Sequence, residues 1–161
     1  MDKIGIDLGN VIIDHVGFGT TSEYFATGDY NLIPPVKDSL FALSQLNKNK
    51  FKNNVFVIYN ATDIADNKII SWLDSHNFFY ITGIEANKVI RSKKGRDKLQ
   101  ACIENEINYF VDDRLEVLGN LHPHIQNLFL LGGQSEEILE FQEIIKKVNV
   151  VSDWDSLLKQ L

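Results

Sequence analysis

Two short apolar runs in this chain end on carboxylates. Ile4-Gly5-Ile6 leads into Asp7 and the turn residues Leu8-Gly9-Asn10, while Ile107-Asn108-Tyr109-Phe110-Val111 leads into Asp112-Asp113. Adjacent carboxylates at a buried strand end repel one another, and a divalent cation with oxygen ligands relieves that repulsion. If both runs are strands of one parallel sheet, their ends converge on the edge where ligands of such sheets bind. The chemistry to look for is therefore a divalent-cation site built from Asp7, Asp112 and Asp113, with a carboxylate beside the cation able to attack an electrophile. Strand residues alternate faces, so one member of the Asp112-Asp113 pair is expected to meet the cation directly. The other would hold a water ligand or a neighbouring side chain. Glycine at position 9 permits a tight turn that can aim its carbonyl at the cation.

The elements that must position these residues follow from the alternation of apolar runs with helical spacing, the layout of βαβ units. Residues 3–7 read as the first strand. Residues 16–31, rich in Gly, Thr and aromatics, lack periodicity and read as an irregular loop or small hairpin over the strand end. After Pro34-Pro35, the positions Val36, Leu40, Leu43 and Leu46 recur at helical spacing. Residues 55–59 form a second, fully covered strand, and 63–74 a helix whose buried stripe is Ile64, Ile69, Trp72 and Leu73. Residues 78–81 and 88–90 are weaker strand candidates. Asp97 is suited to cap a helix running to about Glu104, which feeds the strand ending at Asp112. A short helix at 115–118, a strand at 127–131, a helix from Ser135, a short strand at 148–151 and a terminal helix capped by Ser152 or Asp153 complete the chain. The expected fold is a three-layer α/β/α sandwich with a mostly parallel, Rossmann-like sheet. No repeat or linker interrupts it, so residues 1–161 read as a single domain.

The chain has 161 residues, 44% hydrophobic and 24% charged, with a net charge of −6. Its length suffices to bury about 70% of the unfolded surface, and its acidity argues against general nucleic-acid binding. The N-terminal Met1-Asp2-Lys3 and the lack of any apolar run near ~20 residues predict no signal peptide and no membrane span. Cys102 is the sole cysteine, which excludes an internal disulfide and fits a reducing, cytoplasmic setting. His122-Pro123-His124 reads as a surface turn, His15 and His76 as isolated, and Cys102 as a small core residue.

The combination of Asp7-Leu8-Gly9-Asn10-Val11, a basic segment over 93–98 and Phe110-Val111-Asp112-Asp113 resembles the haloacid dehalogenase-like superfamily, most of whose members are magnesium-dependent phosphohydrolases. The resemblance implies Asp7 as nucleophile, forming an aspartyl-phosphate, with Mg²⁺ held by Asp7, the Gly9 carbonyl, Asp112 and Asp113. It implies a phosphoryl contact at the end of the second core strand, where Asn60 is the candidate and Thr62 a substitute, with Asn10 as a further substrate contact. It also implies a lysine balancing charge between nucleophile and phosphate; Lys98 is preferred, with Lys94 second. No cap domain fits into the chain. Residues 14–34 allow only a flap, and the aromatics Phe18, Tyr24, Phe25 and Tyr30 are suited to pack it or to line the entrance.

An open site of this kind fits a phosphorylated small molecule or macromolecule, or a second copy of the chain closing the entrance. Two departures stand out. The slot usually holding Ser or Thr has Tyr59-Asn60. The position two after the nucleophile, usually an acid–base aspartate, is Gly9, for which Asp14 is a weak substitute. These departures keep a second reading in view: a catalytically weak or inactive relative that binds a phosphorylated ligand or protein partner.

Overall fold

The computed structural model describes residues 1–92 and 98–161. Six strands form one sheet: β1 (Ile4–Ile6), β2 (Val55–Asn60), β3 (Val89–Ser92), β4 (Tyr109–Asp112), β5 (Asn127–Leu131) and β6 (Asn149–Val151). Their order is β3-β2-β1-β4-β5-β6, and every neighbouring pair is parallel. The chain builds from β1 outward to β3, then returns to the other side of β1 with β4. The carboxyl ends of β1 and β4 therefore flank the point where strand order reverses, the place where an open α/β sheet leaves a crevice.

Ten helices accompany the sheet among the described residues: α1 (His15–Phe18), α2 (Ser22–Thr27), α3 (Ser39–Gln45), α4 (Asp63–Ser75), α5 (Phe78–Thr82), α6 (Lys98–Glu104), α7 (Leu115–Leu121), α8 (Ser135–Glu140), α9 (Gln142–Ile145) and α10 (Trp154–Gln160). On one face, Ile4, Ile6, Val57, Val111 and Phe129 pack with Leu43 of α3, Trp72 of α4, Phe78 of α5 and Trp154 of α10. On the other, Ile58, Phe110, Leu128 and Leu130 pack with Ala101 and Cys102 of α6 and with Leu115 and Leu118 of α7. The expected α/β/α layering is thus present, and the sheet is wholly parallel. No helix among the described residues is long and apolar enough to cross a membrane.

Three expectations are corrected. Residues 78–81 form α5, not a strand, set between Asn77 and Gly83, both at positive φ; the weak strand at 88–90 is the one that joins the sheet, at its edge. Residues 16–31 contain α1, α2 and the start of a 3₁₀ turn at Tyr30–Leu32 in place of a hairpin. Ile64 is 75% exposed, because it lies about 140° around α4 from Ile69. Asp97, expected to cap α6, lies outside the described residues.

The residues following β1 are pinned at two levels. The Asp14 backbone N–H donates to the Pro34 carbonyl, and Val36 N–H to the Ile12 carbonyl, so the flap over 14–34 closes on a stem at its base. Trp154 Nε1 donates to the Val11 carbonyl at 2.8 Å and Trp72 Nε1 to the Ile33 carbonyl at 2.7 Å. Both indoles are buried, so each tethers the flap stem to a helix of the core.

Gly5 sets the spacing of the two central strands. It lies in register with Phe110, and a Cβ on Gly5 would stand 2.5 Å from two atoms of the Phe110 ring. That ring is fully buried and has nowhere to retreat. Gly5→Ala should therefore overpack the core and destabilise the protein by about 1–3 kcal/mol. The expected readout is a lower urea midpoint with an unchanged slope; an unchanged midpoint would show that Phe110 repacks freely.

Candidate active site

Each carboxylate of the site is set by the sheet. The Asp7 N–H donates to the Val111 carbonyl at 2.9 Å, extending the β1–β4 ladder by one residue. Asp7 lies two residues after Gly5, so its side chain points to the Phe110 face of the sheet, as does that of Asp112. Asp113 turns to the opposite face. The three carboxylates nonetheless offer oxygens within 4.8 Å of one another, and all three residues are buried. A cluster of oxygen donors alone suits a hard divalent cation such as Mg²⁺ or Ca²⁺.

Lys98 opens α6 and enters this cluster. Its Nζ donates to Asp7 Oδ1 at 2.5 Å and to Asp112 Oδ2 at 2.7 Å, and stands 5.8 Å above the Phe110 ring centroid. Burial pulls the Lys98 ammonium towards neutrality, but Asp7 and Asp112 more than reverse that pull and hold it charged. Asp112 also accepts from the Arg114 N–H at 3.0 Å. Burial, reinforced by the charge of Asp7 and opposed by Lys98, holds the Asp112 carboxyl above its ordinary range. Asp113 is pushed up to about 6, again by burial first and Asp7 second, against the hydrogen bond from Asn10.

When ionised, the three carboxylates and one ammonium leave two negative charges in a buried space. The Arg114 guanidinium pairs with Glu137 at 2.6 Å and Glu116 at 3.4 Å, and the charge of Asp113 also acts on it. Glu137 in turn caps α7 by accepting from the Leu115 N–H.

Other residues singled out in the sequence take varied positions. Asn60 ends β2 with its side chain exposed, on the same sheet face as Asp7 and Lys98. Thr62 caps α4 by accepting from the Ala65 N–H at 3.3 Å, and the Tyr59 hydroxyl donates to Asp66 at 2.7 Å. Asn10, at positive φ, spends its amide within the protein: Nδ2 donates to Asp113 at 3.3 Å and Oδ1 accepts from the Val16 N–H at 2.9 Å. Asn10 thus ties the acidic pair to the start of the flap. Asp14 caps α1, accepting from the Gly17 N–H at 2.7 Å. His122 and Pro123 lie at the turn after α7. Lys94 lies outside the described residues.

One further residue, for which the sequence suggests no role, belongs here. His15, isolated in the sequence, is half-buried beside Gly9 and bonded to the Tyr30 hydroxyl at 2.6 Å. Burial holds its pKa below the ordinary value, with the charges of Asp7 and then Asp14 working against it. Its place depends on the fold of the flap, for which the sequence carries no periodic signal.

No family model and no curated protein matches the sequence. Solved structures do match in shape. The D,D-heptose 1,7-bisphosphate phosphatase of B. bronchiseptica, determined with magnesium and phosphate, superposes with a TM-score of 0.71 at 14% identity, covering 99% of this chain and 97% of its own. The D,D-heptose 1,7-bisphosphate phosphatase of Burkholderia thailandensis gives 0.62 at 13% identity, over 99% and 97%. A haloacid dehalogenase-like hydrolase of Burkholderia xenovorans LB400 gives 0.63 at 11% identity, over 99% and 96%. With its acidic cluster at the strand-order reversal, the chain has the fold of the haloacid dehalogenase-like hydrolases.

Proposed function

We propose that this protein is a Mg²⁺-dependent phosphomonoesterase that works through an aspartyl-phosphate on Asp7. The observation that carries this reading is the uncompensated charge of the site. Among the described residues, Asp7, Asp112 and Asp113, when ionised, are with Lys98 two charges short of neutrality in a buried space at the sheet's switch point, and one divalent cation supplies the balance. The magnesium and phosphate held by a structural neighbour point the same way. Bound by the three carboxylates, and by the Gly9 carbonyl as the resemblance implies, Mg²⁺ would draw charge from the phosphoryl oxygens.

The protein's own groups divide the remaining work. Asp7 attacks phosphorus, the bond to the leaving oxygen breaks, and water then cleaves the acyl-phosphate and regenerates the carboxylate. Lys98 holds Asp7 in place and offers its ammonium to the incoming phosphoryl charge. Asn60, at the exposed end of β2, is the candidate contact for a phosphoryl oxygen. The substrate would be a phosphate carried on a small molecule or a macromolecule, and a second copy of the chain would close the entrance.

A second reading rests on Gly9 and on the internal commitment of Asn10: a protein that binds a phosphorylated ligand without turning it over. The two readings separate on p-nitrophenyl phosphate. Hydrolysis should require added Mg²⁺ and fall at least about a thousandfold in Asp7→Asn. Stabilisation by the ester without product release would favour the second reading.

Metal binding should also depend on pH in a fixed direction. The folded protein binds a proton at Asp113 more tightly than the unfolded chain does, so this carboxyl favours the metal-free fold most at low pH. That contribution is lost as pH rises through about 6. Mg²⁺ needs the ionised form and displaces the proton. The Mg²⁺-induced rise in unfolding temperature should therefore grow between pH 5 and pH 8; a rise that is constant or shrinks over this interval contradicts the assignment of Asp113 to the metal site.

A further inference from the structure

Phosphoryl transfer through Asp7 needs a proton moved twice. The departing alkoxide must gain one, and the attacking water must lose one. Three nearby charged groups have other commitments: Lys98 joins Asp7 to Asp112, Asp113 is held by Asn10, and Asp14 caps α1. His15 is placed differently. Its Nε2 meets the Tyr30 hydroxyl at 2.6 Å, and its ring packs edge-on against Phe25 with centroids 5.1 Å apart. The Nδ1–Cε1 edge lies over Gly9, where a Cβ would come within 3.4 Å of both atoms. The imidazole therefore fills the space that a side chain at position 9, two residues beyond Asp7, would enter.

We propose that His15 is the proton donor and acceptor of this site, with Tyr30 as the residue that positions it. This rests on the phosphatase reading above. In the tautomer that donates Nε2–H to the Tyr30 oxygen, Nδ1, on the Gly9 side, is the nitrogen that exchanges a proton. In the first step, with the ring protonated at both nitrogens, an Asp7 oxygen bonds to phosphorus and the phosphorus–oxygen bond to the leaving group breaks; that oxygen's electron pair takes the proton from Nδ1 and leaves a neutral imidazole that keeps its Nε2–H. In the second, water bonds to phosphorus, the bond to Asp7 breaks with its electrons returning to the carboxylate, and the water proton passes to Nδ1. A Cβ at position 9 would meet the ring at 3.4 Å, so a longer side chain extending in that direction would press on it. The flap also acquires a definite role, since Phe25 and Tyr30 hold the imidazole over the strand end.

The test is a leaving-group series on the full chain with Mg²⁺, comparing kcat/KM for p-nitrophenyl phosphate and 2-phenylethyl phosphate. Protonation matters little for the first leaving group and greatly for the second. His15→Gln should lose about 10²–10⁴-fold on the alkyl ester and less than tenfold on the aryl ester. Tyr30→Phe, which keeps the packing and removes the hydroxyl, should lose part of the same selectivity. In the double variant His15→Ala/Gly9→Asp, the cleared space should admit the new carboxylate and restore alkyl-ester turnover. Equal losses on both esters in His15→Gln, or no loss on either, overturn the proposal. If the unaltered protein hydrolyses neither ester, the phosphatase reading falls and this proposal with it.

Discussion

A buried ammonium shared by carboxylates from two strands governs this structure. Lys98 joins Asp7, at the end of β1, to Asp112, at the end of β4. Removing Lys98 would leave buried carboxylates facing one another without their shared cation, a strongly unfavourable state. The arrangement has structural prerequisites. Gly5 must lack a side chain so that Phe110 can lie across β1, and Phe110 forms the floor beneath the Lys98 ammonium. The helix carrying Lys98 must start where its first side chain reaches the switch point. With all three carboxylates ionised the charges of the described residues remain unequal even so, and such a site is suited to recruit a cation.

The flap is attached to the same centre from the other side of the sheet. Asn10 reaches Asp113 with one end of its amide and the Val16 backbone with the other, so the first turn of the flap is keyed to the acidic pair. Two tryptophans from distant helices hold the stem. The indole N–H is a donor that needs a partner when buried, and here the partners are carbonyls of the loop backbone, which also need satisfying. Each tether meets two demands at once, which is how a segment with only short helices keeps a fixed course over the strand ends.

The sequence discloses these features unevenly. The strands ending at Asp7, Asn60, Asp112 and Leu131 are legible because parallel strands covered on both faces must be continuous apolar runs. The segment Phe78-Phe79-Tyr80-Ile81 has the same look and forms a helix: a run of four aromatic and aliphatic residues has no period, and its only signals are the flanking Asn77 and Gly83. Ile64 misleads because apolar character alone does not follow the phase that Ile69, Trp72 and Leu73 set on α4. The choice of Lys98 from a run of basic residues comes from a resemblance and from its place at a helix start; its reach to Asp7 depends on tertiary structure. His15 is invisible for a stronger reason. Its neighbours Gly9, Phe25 and Tyr30 come from three points of an irregular segment, and no local rule links them.

That difference between core and flap bears on how the site divides its labour. Charge balance needs rigid placement, because Coulombic terms in a buried site change steeply with distance, and Asp7, the acidic pair and Lys98 all sit on strand ends or the first turn of a core helix. In the proposed phosphatase, proton transfer must reach the far side of the reacting phosphorus, where a strand end cannot extend. A residue at position 9 could do so from the turn itself. With glycine there, the group must come from a segment that rises above the turn and folds back, and the tethered flap is such a segment. Under that proposal the glycine and the histidine are two halves of one arrangement, since the ring lies where a side chain at position 9 would extend.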